Sequence, residues 1–488
     1  MNAILAIDQS TSATKAVVFD AAGEVISKAS ADHRQIYPRP GWVEHDAEEI
    51  WRNTLAVIEK IRPKKPLCLS IANQRETVVV FDRATGRPLH NAIVWQDRRG
   101  APICTELAQH GDEVARRTGL KIDTYFSASK LTWLMRNRAD IAAKLAAGQA
   151  LVGTIDAYLV YRLTGGEVFA TDHTNASRTQ WFDIVRLRWD QQLCDVLGVP
   201  LLSLPDPRDS TAEFGTTDCA GVLSHPIPIR GVIGDSQAAL FAHRCYQPGM
   251  AKVTLGTGSS ILLTHPSFLL HPSSFLTTLA WTHQGEPTYC LEGIINYSAA
   301  TIAWLKDQLQ LIRDPAETEA AASSVPDNGG VYLVPAFAGL SAPHWSADAR
   351  EAIVGMSAHS TRNHVIRAAL ESIAYQIRDV LDEMRSAGGI ALQAIHADGG
   401  ATRNAWLMQF LADMTGLEIV VSRMADCSAL GAALAGALGL GLHGSLDELA
   451  ALPRETVRYS PAMSRDQADR LHAGWKRAVK QVLAGTAS

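Results

Sequence analysis

The chain has little that would tie it to nucleic acid, a membrane or an oxidising compartment. Its formal net charge is −5 and no basic block interrupts it, so nucleic acid is not expected as a main partner. No apolar run is long enough to span a bilayer. The longest, 429–442, is rich in Ala and Gly and predicts a tightly packed buried helix. Seven cysteines (Cys68, Cys104, Cys194, Cys219, Cys245, Cys290, Cys427) are scattered, odd in number and never spaced C-x-x-C. That fits a reducing cytoplasm and neither a disulfide framework nor a zinc site. The first residues enter a strand pattern with no basic region before an apolar one, so no signal peptide is expected. No G-x-x-x-x-G-K-[ST] occurs, which excludes a P-loop enzyme. No G-x-G-x-x-G follows the first strand, which disfavours a dinucleotide-binding dehydrogenase. Short-period repeats and low-complexity segments are also missing.

What is present is a large apolar fraction. At 488 residues with 47% apolar and 19% charged residues, two domains or a little more are expected, each able to bury a core. Runs 3–7 and 15–20 flank the polar turn Asp8-Gln9-Ser10-Thr11-Ser12, and 24–28 follows after Ala21-Ala22-Gly23. This predicts a hairpin and a third strand. Residues 47–61 have helical periodicity, with Asp46 as the N-cap and Glu49 completing a capping box. Residues 67–71 return as a strand, and strand, helix, strand is the order of an α/β domain. The same grammar recurs: 229–233 ends in Gly234-Asp235-Ser236-Gln237, 251–255 in Gly256-Thr257-Gly258-Ser259-Ser260, and 390–396 in Asp398-Gly399-Gly400. A boundary is expected at 243–249, giving domains 1–243 and 250–488. The charged tail from Asp447 predicts helices packed on the outside.

Five places carry chemistry. Arg75 and Glu76 are adjacent opposite charges after an apolar run. A guanidinium that donates to hydroxyl oxygens beside a carboxylate that accepts from hydroxyl hydrogens can hold a neutral polyol, with Trp95 as an apolar wall. The bland alternative is a surface ion pair. Asp8 beside Ser10, Thr11 and Ser12 offers a carboxylate, hydroxyls and backbone N–H groups for a phosphate and Mg²⁺. Gly256-Thr257-Gly258 lets backbone approach phosphate, and Gly399-Gly400 ahead of the helical stretch 404–415 is a seat for a nucleotide. Asp235 closes a strand where open α/β sheets place their ligands, positioned to accept a hydroxyl proton in phosphoryl transfer. It could equally be a helix N-cap.

With these residues assembled, the chain resembles the FGGY carbohydrate kinases, and the glycerol kinases within that family, nearly end to end from Ile4 to about Ala478. The matching segments are 35–46, 73–77, 91–96, 171–179 and Gly339-Leu340-Ser341-Ala342-Pro343-His344-Trp345 with Ile353-Val354-Gly355. A signature-like stretch from Tyr125 to Leu134 joins them. The resemblance implies an α/β fold of two actin/hexokinase-like (ribonuclease H-like) domains flanking a catalytic cleft. It implies ATP-dependent phosphorylation of a small polyol, glycerol to glycerol 3-phosphate, with Asp235 as general base and Asp8 organising Mg²⁺. Arg75, Glu76, Trp95, Tyr125, Asp235, Ser236 and Ser260 fall on the polyol side. Thr11, Ser12, Lys15, Gly256, Thr257, Gly400 and Asn404 fall on the nucleotide side. The implied partners are a polyol and ATP; a homo-oligomer, a dimer, is the expected assembly, without membrane insertion.

The departures sit in the site. Ser236 stands where glycerol kinases usually carry Gln, and Ser259-Ser260 where a small residue and Phe are usual. Both changes predict a larger, more polar pocket. Lys15 replaces Arg, Ser10 a Gly, and Ala299 and Ala303 a Gly and a Gln near the adenosine. The loop 216–228 lacks the Gly-Gly-Thr-Arg of enzymes inhibited by fructose bisphosphate, and His225 lacks the context of a phosphorylated histidine. A kinase of a four- or five-carbon polyol or ketose is therefore the alternative within the class. A non-catalytic nucleotide-binding protein of the actin superfamily is the alternative outside it.

Overall fold

A computed structural model describes residues 3–270, 275–346, 348–424 and 426–485. Two mixed sheets dominate. The first holds β1 (Ala3–Gln9), β2 (Ala13–Asp20), β3 (Val25–Asp32), β4 (Leu69–Asn73), β5 (Glu213–Thr217) and β6 (Ile227–Gly234), in the order β5-β6-β4-β1-β2-β3. β1 is antiparallel to β2 and parallel to β4, which is parallel to β6. Every residue of β1 is buried, as expected for a central strand covered on both faces. Helix α1 (Ala47–Ile61) turns Ile50, Trp51, Val57 and Ile58 inward. Asp46 is its N-cap, but no capping box forms: Asp46 accepts the Glu48 N–H at 2.9 Å, while the Glu49 carboxylate is drawn away to Arg34 at 3.1 Å. The short helix α2 (Asp235–Ala242) follows β6 directly.

The second sheet repeats that topology. It holds β7 (Met250–Leu255), β8 (Ser259–His265), β9 (Leu276–His283), β10 (Glu286–Ile295), β11 (Ala394–Asp398), β12 (Glu418–Ser422) and β13 (Thr456–Tyr459), in the order β9-β10-β8-β7-β11-β12-β13. β7 is antiparallel to β8 and parallel to β11, as β1 is to β2 and β4. The long helix α3 (Arg362–Gly388), α4 (Ala405–Thr415) and α6 (Arg465–Ala484) cover one face. The tail is not all helical, as its charge had suggested: Thr456–Tyr459 pairs with β12 as an edge strand, a run too short to show a period.

The two halves share a wedge of core. α5 (Cys427–Gly439) is the predicted Ala/Gly-rich buried helix, and it packs on α2 and on the first sheet although it follows β12. A Cβ at Gly431 would lie 1.8 Å from the Ala238 carbonyl oxygen, and one at Gly436 2.2 Å from Ser70 Oγ. Only glycine permits so close a crossing. Apolar residues of β1, α2, α5 and the facing side of the second sheet, among them Ile4, Phe241, Leu430, Leu262 and Trp281, form one buried cluster.

Candidate active site

The ends of β1, β6, β7 and β11 meet at a cavity of about 800 Å³, lined by Asp8, Lys15, Asp235, Ser236, Ser260 and Asp398 among others. Asp8 is buried, and burial pushes its carboxyl up to about 6; Lys15 opposes the rise, while the negative charges of Asp235 and Asp426 add to it. The Lys15 ammonium lies 3.6 Å from Asp8 and 2.9 Å from Asp426, which also holds Lys28 at 3.2 Å.

Arg75 and Glu76 follow β4 and are buried, 6% and 1% exposed, so they are no surface ion pair. Glu76 takes a left-handed backbone, φ +63°, a conformation that non-glycine residues hold only under surrounding constraint. Their mutual contact is the weakest in the cluster, 3.9 Å. Each is instead held by a residue from elsewhere. Arg75 NH1 donates to Glu292 Oε1 at 2.9 Å, and Arg178 Nε donates to Glu76 Oε1 at 2.6 Å. Arg178 NH1 lies 2.5 Å from Glu292 Oε2. Two guanidiniums and two carboxylates thus alternate in the interior. Burial alone would raise Glu292, but Arg178 and then Arg75 hold its carboxyl down at about 2. Burial pushes Glu76 up, with Arg75 and Arg178 opposing.

Asp235 opens α2, but Gly234 occupies the cap position, so the carboxylate is not the N-cap. Its Oδ1 accepts the Ser236 N–H at 2.7 Å and lies 3.3 Å from Arg75 Nε. One third of the side chain stays exposed to the cleft. Trp95 and Tyr125 pack ring on ring, 5.3 Å between centroids, in the wall of a neighbouring cavity that also includes Ile294 and Trp345. Burial pushes the Tyr125 hydroxyl far above its ordinary range.

A third cavity of about 720 Å³ is lined by Gly256, Thr257, Ala299, Ala303 and Asn404, and Gly400 and Arg403 wall both it and the Asp235 cavity. Gly399, at φ +97°, would place a Cβ 2.4 Å from the Leu255 carbonyl oxygen, so the turn behind this wall needs glycine. Asn404 caps α4, accepting the Leu407 N–H at 2.9 Å. Thr11 and Ser12 do not join these walls. The Thr11 hydroxyl accepts the Trp95 indole N–H at 3.0 Å, and Ser12 points to solvent.

Sequence reasoning did not single out Arg178, Glu292, Asp398, Asp426 or Lys252. A signal existed for two of them. Glu292 and Lys252 are charges set inside otherwise apolar strands, Cys290-Leu291-Glu292-Gly293-Ile294 and Ala251-Lys252-Val253, where an unpaired charge would be costly. Nothing local tells that Glu292 lies against Arg75, 217 positions earlier.

Residues 3–242 match the N-terminal domain of the FGGY family of carbohydrate kinases, and residues 251–440 match its C-terminal domain. The chain belongs to that family. Curated FGGY relatives share its whole length. The chain is 44% identical to glycerol kinase 2 of Thermotoga maritima, over 99% of each chain. It is 46% identical to the glycerol kinase of Symbiobacterium thermophilum, over 98% of each. Among solved structures it is similar to Plasmodium falciparum glycerol kinase with ADP, with a TM-score of 0.94 and 35% identity over 99% of this chain and 98% of that one. A xylulose kinase from Lactobacillus acidophilus superposes with a TM-score of 0.91 at 22% identity, a likeness of fold alone. The FGGY fold therefore has its two domains and cleft here, and the enzyme class is ATP-dependent carbohydrate or polyol kinase.

Proposed function

We propose that the protein transfers the γ-phosphoryl group of ATP to a terminal hydroxyl of glycerol, giving glycerol 3-phosphate, with Asp235 as the general base. The observation that carries this is the position of Asp235: its carboxylate is exposed to a cavity between the two sheets, and Arg75 holds it beside the buried Glu76. The glycerol kinases that match the whole chain support the acceptor. Arg75, Glu76, Trp95 and Tyr125 hold the polyol; the walls at Gly256, Thr257, Gly400 and Asn404 hold the nucleotide, with Lys15 toward its phosphates. In the step, the acceptor oxygen bonds to Pγ as the bond from Pγ to the β,γ-bridging oxygen breaks. The electron pair leaves on ADP, and the hydroxyl proton passes to the Asp235 carboxylate.

Asp8 suits a divalent cation, since a buried carboxylate lifted to about 6 beside two further carboxylates lacks positive charge that Lys15 only partly supplies. Bound there, Mg²⁺ would neutralise phosphate charge. Closure of the two domains excludes water, which would compete as acceptor. The cytoplasm suits seven free cysteines, and among the described residues no helix is long and apolar enough to cross a membrane.

A second acceptor, a four- or five-carbon polyol or ketose, is favoured by one observation: Ser236 and Ser260 line the Asp235 cavity, and the Ser260 hydroxyl is buried without a partner. ADP release with glycerol, erythritol and pentuloses separates the two. Asp235→Asn is expected to lower turnover by about 10²–10⁴ while ADP binding, measured calorimetrically, holds. Near-normal turnover would remove Asp235 from the role.

A further inference from the structure

Strand β7 alternates sharply. Ala251, Val253 and Leu255 turn into the core of the second domain, so Lys252 and Thr254 lie on the opposite face, toward the cleft. In register, Thr254 stands beside Ser260 on β8 and Asp398 on β11, and Lys252 beside Leu262 and His396. Lys252 is only 1% exposed, yet it lines the same cavity as Asp8, Asp235, Ser236 and Asp398. Among the described residues, its ammonium has no hydrogen bond and no carboxylate within ion-pair distance. Burial lowers its pKa, and Asp398, Asp235 and Glu292 are the anions that draw it back, against Arg75.

A buried ammonium without a partner is costly to keep unless something that binds there supplies the partner. Glu292 is held by Arg75 and Arg178, and Asp235 by Arg75. Asp398 Oδ2 lies 2.9 Å from His243 Nε2; its Oδ1 is buried with no hydrogen-bond partner, yet it does not come within ion-pair distance of Lys252. The other cations of the cavity differ: Lys15, placed toward the nucleotide phosphates, is already paired with Asp8 and Asp426, and Arg403 and Arg423 are exposed at the rim. The nucleotide-side cavity shares the wall at Gly400 and Arg403 with this one, and Lys252, Thr254 and Asp235 line the near side of that wall, where a phosphate chain reaching Asp235 would lie.

We propose that Lys252 contacts the transferring phosphoryl group, its ammonium donating to a non-bridging oxygen of Pγ as that group moves from ADP to the acceptor oxygen. This rests on the kinase reading above. The step balances as before: the acceptor O–Pγ bond forms, the Pγ–O bond to ADP breaks, and the proton goes to Asp235. Lys252 gives up no proton in the step, and its ammonium compensates charge on the equatorial oxygens where it is greatest. A contact made to the planar group in flight, and not to ADP, raises turnover without tightening ADP.

The test uses the full chain with Mg²⁺. Lys252→Met is expected to lower kcat by about 10²–10³, the scale of one lost transition-state donor. ADP and glycerol affinities should stay within about threefold of wild type. Aluminium fluoride, which mimics the planar phosphoryl group, should tighten ADP binding in the presence of glycerol for the wild type and fail to do so for Lys252→Met. Lys252→Arg keeps the charge and should retain at least about tenfold more turnover than the Met variant. Turnover of Lys252→Met within threefold of wild type would overturn the proposal, as would equal losses in Met and Arg variants or a loss of ADP affinity as large as the loss of turnover. If Lys252→Met shows no cooperative thermal unfolding, Lys252→Arg decides: fluoride-dependent tightening is expected to persist, and its disappearance overturns the role. A wild type that phosphorylates none of the polyols would sink the kinase reading instead, and that outcome is separate from all of these.

Discussion

At the scale of single residues, the proposed acceptor pocket is defined by what its side chains do not reach. Ser236 follows the proposed base, and Ser260 faces the same cavity from β8 with its hydroxyl buried and unpartnered. Three carbons leave that hydroxyl to water; a fourth or fifth carbon could carry a hydroxyl to it. If glycerol is the native acceptor, Ser236→Gln with Ser260→Phe should lower its KM, by a restored direct hydrogen bond and an apolar wall worth roughly 1–3 kcal/mol together. If a longer acceptor is native, the same pair should exclude it by clash and turn the enzyme toward glycerol. Steady-state kinetics on glycerol and erythritol, for wild type and double variant, reads the difference. Unchanged kinetics on both would mean that the serines do not touch the acceptor.

Elements place these residues, and one crossing of elements sets the position of the base. α5 lies against α2, and the Ser428 hydroxyl donates to the Asp235 carbonyl oxygen at 3.1 Å. Gly431 sits against the backbone of α2 at Ala238. Gly431→Ala would set a Cβ 1.8 Å from the Ala238 carbonyl, so α2 must shift or α5 must lift. The expected cost is about 1–3 kcal/mol, read as a lower urea midpoint, with a fall in kcat larger than any change in ADP affinity because α2 carries Asp235. A stable variant with normal kcat would show that the crossing does not position the base. This helix also shows what the sequence could and could not disclose. Its small-residue composition announced a tightly packed buried helix, and the alternating runs around 3–20 and 251–263 announced hairpins ending in polar turns. Composition could not say that the helix would pack on the opposite domain, because that depends on which glycine meets which carbonyl. The sequence singled out the adjacent pair Arg75-Glu76, and the structure buries it, yet its ion-pair partners were not legible. Arg178 and Glu292 arrive from other elements, and a run such as Cys290-Leu291-Glu292 shows only that some charge must be waiting.

Across the whole molecule, Glu292 is the point at which the proposed acceptor site and the joining of the domains become one problem. It stands on β10 of the second sheet, and both of its partners, Arg75 and Arg178, belong to the first half of the chain. Its carboxyl is held at about 2, below its ordinary 4.5. A carboxyl depressed by folding contributes stability that is full above the unfolded value and is lost as pH falls through the folded one. The clamp should therefore hold at neutral pH and weaken from about pH 4.5 down to about 2. Glu292→Gln removes the charge at all pH values and leaves two buried guanidiniums sharing Glu76. It should cost about 3–5 kcal/mol at pH 7, the range for a broken buried pair, and raise the KM for the polyol, because Arg75 loses the contact that aims it. The Asp8 carboxyl, raised to about 6, and the buried His396 imidazole, lowered to about 3, are common to both proteins and cancel in the difference. Urea midpoints of wild type and Glu292→Gln should accordingly be far apart at pH 7 and converge as pH is lowered toward 3. A gap that stays constant with pH would mean that the Glu292 carboxylate is not the clamp, and that the two halves are held by the apolar wedge of α2 and α5 alone.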